Sequence, residues 1–153
     1  MIGWLYYYNN DYGVTKVACD TNKAKIKNFK FQHPDTDIFT DYKEMAEKTD
    51  LDAVIISTPN WLHREMAEYF LNLGVDVFLE KPMGVNKKEI DAVLLAQKRS
   101  GKICAIDFEL RNSFGYRRIK EILDSGEIGR PAGVEFIHHR GAWLAEGRGG
   151  MAY

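Results

Sequence analysis

Two short polar clusters hold the side chains of this chain most suited to chemistry. One is Glu80-Lys81-Pro82; the other is Ser57-Thr58-Pro59-Asn60, followed by His63. Lys81 precedes a proline, which pushes its backbone toward an extended conformation. An ammonium held there can polarise a hydroxyl or carbonyl and stabilise an alkoxide. For a bare tripeptide, a surface lysine paired with Glu80 is the simpler alternative. Serine, threonine and asparagine can line a ligand cleft, and they also commonly end a strand. His63 reads either as a ligand contact or as a helix-cap or core-edge histidine. His138-His139 raises the question of a metal. Adjacent strand residues point to opposite faces, and no third ligand has suitable spacing, so none is expected. Cys19 and Cys104, the two cysteines, sit in apolar runs where a small buried hydrophobe is the expected role. Trp61 and Trp143 suit a core or a cleft wall equally.

The clusters must be positioned by the stretch from residue 51 to 82, which reads as strand, helix, strand. Ala53-Val54-Ile55-Ile56 is an unbroken apolar run, the pattern of a parallel strand buried on both faces. Leu62, Met66, Tyr69, Phe70 and Leu73 recur with the period of one helical face. Gly74 stands where a left-handed cap residue belongs, and residues 75–79 are the next strand. Such a unit joins parallel strands, and open parallel sheets bind ligands at the carboxyl ends of their strands. Both polar clusters fall at those ends.

Elsewhere the same alternation holds. Residues 14–19 form a short strand ending at Asp20. Residues 21–31 carry Lys23, Lys25, Lys27 and Lys30, a solvated helix face. Ile38-Phe39 is a brief edge strand. Asp41 with Glu44, and Asn86 with Glu89, begin two helices in the manner of a capping box. The second buries Ile90, Val93 and Leu94 and ends at Gly101. A strand follows over 103–108, then an amphipathic helix over 114–123 through Ile119, Ile122 and Leu123. Residues 134–138 alternate as a half-exposed strand does. The first ten residues suit a helix or a hairpin. The class is α/β with a mainly parallel sheet.

The chain has 153 residues, enough for one real core, with 45% hydrophobic and 28% charged residues. A net charge of −1 gives no electrostatic case for nucleic acid or an anionic membrane. No apolar run approaches the roughly 18 residues of a membrane span. MIGWLYYYNN has neither a basic region nor a small-residue cleavage site. A cytoplasmic protein is expected.

The motif D-L-D-A-V-I-I-S-T-P-N-x-x-H, followed after sixteen residues by E-K-P, resembles the glucose–fructose oxidoreductase and inositol dehydrogenase (Gfo/Idh/MocA) family. Val17-Ala18-Cys19-Asp20, Phe39-Thr40-Asp41-Tyr42, Glu109-Leu110-Arg111 and residues 126–131 (GEIGRP) resemble its other landmarks. The resemblance implies a Rossmann domain over residues 1–131 and the start of an α+β substrate domain over 132–153. It implies hydride transfer between a nicotinamide cofactor and a sugar, polyol or related hydroxyl compound. Asp20 would hold the adenosine ribose, favouring NAD over NADP because a carboxylate repels a 2′-phosphate. Ser57, Thr58, Pro59 and Asn60 would line the cofactor cleft, with His63 beside it. Glu80 would lie against the nicotinamide ribose, Lys81 would point at the reacting hydroxyl, and Arg111 would sit near nicotinamide or substrate.

Departures from the family pattern shape the expectation further. No G-x-G-x-x-G precedes Val14, so the turn that binds pyrophosphate is missing. In strand order 3-2-1-4-5-6 the first strand is central. A sheet lacking it leaves two inner strands with an open edge, which invites association into a homo-oligomer. The histidine motif of the substrate domain is also missing. The expectation is an incomplete chain that binds cofactor weakly or not at all and does not turn over by itself. The alternatives are a non-catalytic nucleotide-binding or regulatory relative, and a self-associating pseudo-domain.

Overall fold

The computed structural model describes residues 17–137. Among them strands and helices alternate: β1 (Val17–Cys19), α1 (Lys23–Gln32), β2 (Asp37–Phe39), α2 (Tyr42–Lys48), β3 (Ala53–Ile56), α3 (Asn60–Asn72), β4 (Asp76–Glu80), α4 (Lys87–Ser100), β5 (Cys104–Asp107), a 3-10 turn (Glu109–Asn112) and α5 (Phe114–Ser125). The chain divides into two units, Met1–Asp107 and Phe108–Tyr153. Residues 1–16, the Trp143 position and the His138-His139 pair lie outside the described residues.

Among the described residues, all strand pairs in the first unit are parallel. β1 pairs with β2, and β3-β4-β5 form a second ladder in that order. This is the expected sequence of strands with no strand between β1 and β3 among the described residues. Both ladders feed one core. Met45, Ile56, Ala67, Phe70, Leu71, Val77, Leu79, Val93 and Ala96 are buried together, with Val17, Cys19 and Phe39 packed against them. Burying such side chains contributes about 1.5–3 kcal/mol for each large one.

Local chemistry fixes the helix ends. Asn22 Oδ1 accepts from the amides of Ala24 and Lys25, and Asp41 Oδ1 from those of Lys43 and Glu44. The Asn86 box is reciprocal but shifted by one residue. Asn86 Oδ1 accepts from Glu89 N at 3.0 Å, while Glu89 Oε2 accepts from Val85 N at 3.0 Å rather than from Asn86 N. Glu44 instead pairs with Lys48 at 2.6 Å. Gly74 and Gly101 take the left-handed conformation after α3 and α4, with φ of 79° and 68°.

Four expectations are corrected. β3 is not buried on both faces, because the apolar side chains alternate: Ile56 is buried, whereas Ile55 and, across on β4, Phe78 are about two-fifths exposed. The buried face of α3 is His63, Ala67, Phe70 and Leu71, and Leu73 is exposed because it is the residue on which the helix ends. In α4 the inward side chains are Val93 and Ala96, with Leu94 exposed. Residues 134–137 form no strand and are exposed, so the alternation there has no ladder to occupy. In the second unit α5 is capped by left-handed Gly126, and none of its residues is buried. Trp61, open to either core or cleft wall by sequence, is exposed.

Gly84 is needed for close approach. A Cβ there would lie 2.8 Å from Glu89 Cβ and 3.2 Å from Ile90 N. Neither is the end of a flexible side chain, so the start of α4 would have to move. Gly84→Ala is expected to lower unfolding free energy by about 1–3 kcal/mol, read from the urea midpoint. An unchanged midpoint would mean that the loop gives way freely.

Candidate functional site

Strand register brings the two polar clusters to one end of the sheet. Ile56 pairs with Leu79, so Ser57 and Glu80, the next residue on each strand, emerge side by side. On the far side Glu80 pairs with Asp107, the last residue of β5. Three neighbouring strand tips therefore carry Ser57-Thr58, Glu80-Lys81 and Asp107. Sequence reasoning missed Asp107; its position at the carboxyl end of a parallel strand was the available signal.

Each tip is held locally. Pro59 precedes α3, and its carbonyl accepts from Leu62 N at 2.9 Å. Asn60 is the first residue of that helix. Thr58 Oγ1 contacts Met66 Sδ at 3.5 Å. Ser57 Oγ is buried with no hydrogen-bond partner among the described residues. An unmet buried hydroxyl costs on the order of 1–3 kcal/mol, and a ligand acceptor or donor would remove that cost. Glu80 Oε2 accepts from Lys81 N at 3.2 Å, and Lys81 is exposed. The Lys81–Pro82 peptide is cis.

His63 is 1% exposed. Its Nδ1 lies 2.7 Å from the Pro82 carbonyl oxygen and its Nε2 lies 2.8 Å from that of Thr58. The sequence left this residue between ligand contact and core edge. The geometry puts it on the buried face of α3, touching both polar clusters.

Asp20 follows β1 of the two-stranded ladder, and its Oδ1 accepts from Asn22 N at 2.7 Å. Ala18, Cys19, Asp20, Ile26, Phe29 and Ile38 line a small hollow there. Arg111 belongs to the second unit, where its guanidinium stacks over the Phe108 ring at 4.8 Å. Among the described residues no group of three or more His, Cys, Asp or Glu is arranged to hold a metal. Also among them, no helix is long and apolar enough to cross a membrane.

Comparison with known proteins agrees with this arrangement. Residues 5–108 match the family model described as "Oxidoreductase family, NAD-binding Rossmann fold". Inositol 2-dehydrogenase of Salmonella paratyphi B is 35% identical over 109 residues, which are 71% of this chain and 32% of that protein. The structure of myo-inositol 2-dehydrogenase from Lactobacillus plantarum superposes with a TM-score of 0.70 at 32% identity, over 74% of this chain and 34% of that one. A scyllo-inositol dehydrogenase from Lactobacillus casei, with bound NAD(H) and scyllo-inositol, does so with a TM-score of 0.70 at 29% identity over the same shares. These define an α/β oxidoreductase class built on a nucleotide-binding sheet. The chain belongs to the Gfo/Idh/MocA family. It spans about a third of the length of the relatives it matches.

A nicotinamide dinucleotide is the group this family implies, and the residues present fit it. The orphaned Ser57 hydroxyl offers a buried polar partner, and the tips of β3 and β4 lie together at the sheet end where such sheets bind nucleotides.

The cysteines stand apart from this chemistry. Both are free thiols in strands. Burial pushes the Cys19 thiol up to about 11, helped by the negative charges of Asp41, Asp20 and Glu44. Burial also raises the Cys104 thiol. A thiol whose folded pKa is raised is stabilised in its protonated form. That contribution is complete below the ordinary pKa of 9.0 and is lost as pH rises through about 11. Cys19 is therefore expected to react with iodoacetamide at pH 8 far more slowly than in the unfolded chain, and mass spectrometry of the labelled peptide measures the ratio. Equal rates in the two states would show that the folded thiol is not protected.

Proposed function

We propose that the protein to which this sequence belongs is an NAD(P)-dependent oxidoreductase acting on a sugar, a polyol or a related hydroxyl compound. The observation that carries this reading is the β3–β4 register, which sets the Ser57 turn beside Glu80-Lys81. The bound nicotinamide would supply the hydride acceptor or donor. Everything else falls to the side chains. The Lys81 ammonium donates to the oxygen of the reacting carbinol or carbonyl and stabilises negative charge on it as the carbon is oxidised or reduced. Ser57 Oγ, Thr58, Pro59 and Asn60 form the cofactor wall. Glu80 accepts from a ribose hydroxyl near the reacting end. Asp20 does the same at the adenosine end, where a carboxylate disfavours a 2′-phosphate, so NAD is preferred over NADP. Arg111 serves the nicotinamide or substrate end. Inositol stereoisomers are the first substrates to try, because the relatives above carry those names.

The second reading is a non-catalytic nucleotide-binding relative. No G-x-G-x-x-G occurs in the sequence, and that loop is what cradles pyrophosphate. Affinity of this chain for NADH is therefore weak, and amide NMR at millimolar NADH is the suitable measurement. Shifts are expected at Ser57, Thr58, Asn60, Glu80 and Lys81. In the whole protein, no shift at these residues at millimolar NADH would remove both readings.

Kinetics separates the two. In the whole protein, Lys81→Ala is expected to lower kcat by about 10²–10³-fold, with NADH affinity changed by less than about threefold. Unchanged turnover would overturn the role given to Lys81, and no turnover in the unsubstituted protein would favour the non-catalytic relative.

A further inference from the structure

His63 is a buried side chain that touches both polar clusters. Its ring lies between the Thr58 carbonyl, two residues beyond the end of β3, and the Pro82 carbonyl, two residues beyond the end of β4. The last register pair between these strands is Ile56–Leu79. The ring thus spans the two tips beyond the last paired residues of the ladder. Both of its partners are carbonyl oxygens, which only accept. A neutral ring donates to one of them, and a doubly protonated ring donates to both. With 1% of the residue exposed, water has little access to replace either contact.

We propose that His63 is a positioning residue for Lys81. It acts as a strut of fixed length between the Ser57–Asn60 turn and the Glu80–Pro82 segment. Lys81 is bonded directly to the residue whose carbonyl the ring engages, and Ser57 directly to the other. The distance from the cofactor wall to the ammonium is therefore set by an imidazole rather than by the flexible ends of two strands. His63 touches neither cofactor nor substrate in this role. The functional consequence rests on the reading of Lys81 given above, whereas the strut itself is a property of the chain without ligand.

The test uses the ¹⁵N-labelled chain. In the unsubstituted chain, a slowly exchanging His63 ring N–H is expected, with nuclear Overhauser contacts to Thr58 on one side and to Pro82 or Met83 on the other. In His63→Gln, with far-UV circular dichroism unchanged, amide shifts are expected at both tips, at Ser57 and Thr58 and at Lys81, Met83 and Gly84. They should exceed those at Ala67 and Leu71 on the same helix. In the whole protein, His63→Gln should lower kcat while NADH affinity changes by less than about threefold, as for Lys81→Ala. A general loosening of the fold would instead move Ala67 and Leu71 as much as the tips, and that result overturns the proposal. So do shifts confined to one tip, or ring contacts to one side alone. Should His63→Gln fail to fold, the ring contacts of the unsubstituted chain decide the matter. A whole protein blind to NADH but with both ring contacts present would remove the oxidoreductase reading and leave the strut standing.

Discussion

The parallel pairing of β3 with β4 is the constraint on which the site depends. A ladder in which Ile56 faces Leu79 leaves no choice about what emerges at its end. Slipping one strand by one residue would turn its buried residue, Ile56 or Leu79, away from the core. It would also shift the serine turn along the lysine segment. The apolar contacts of Val77, Leu79 and Ile56 with Ala67, Phe70 and Val93 therefore hold the register and the polar geometry together. Packing energy brings the two clusters side by side, and the His63 ring spans their tips.

A second layer of control lies outside the sheet. Asp76 Oδ1 accepts from Ile103 N at 2.9 Å, which ties the start of β4 to the residue preceding β5. At the other end the imidazole of His63 lies between two carbonyls. The strands are thus fastened at both ends by side chains as well as along their length by backbone hydrogen bonds. The carboxyl ends combine an exposed lysine with a buried and unsatisfied serine hydroxyl. That contrast, a fixed floor beneath an accessible cation, suits a surface that receives a polar ligand.

Much of this was legible in the sequence, for identifiable reasons. Helices announced themselves through caps: Asp41 before α2 and Asn86 before α4 accept the amide hydrogen bonds expected of them. Glycines 74 and 101 marked helix ends because an unhindered left-handed residue was required there. The order of parallel strands followed from the alternation. The role of His63 was not legible, because a hydropathy pattern counts histidine as polar and assigns the buried face to its apolar neighbours. Leu73 and Leu94 were placed inward for the converse reason, since apolar type says nothing about where a helix stops or which of two adjacent leucines has a neighbour. The run at Ala53–Ile56 likewise hid a two-residue alternation, visible only once Ile55 and Phe78 are seen on the exposed face. Asp107 was overlooked because its partner across the ladder is 27 residues away in the chain.

Helix α1 has a single buried anchor, Phe29, whose ring stacks on His33 at 4.6 Å, and its remaining surface is mostly lysine and asparagine in water. Asp20, the carboxylate at the tip of β1, immediately precedes this lightly held helix. Exposed positions of a helix held this lightly can change with little effect on stability, whereas the β3–β4 ladder has buried side chains to keep in register.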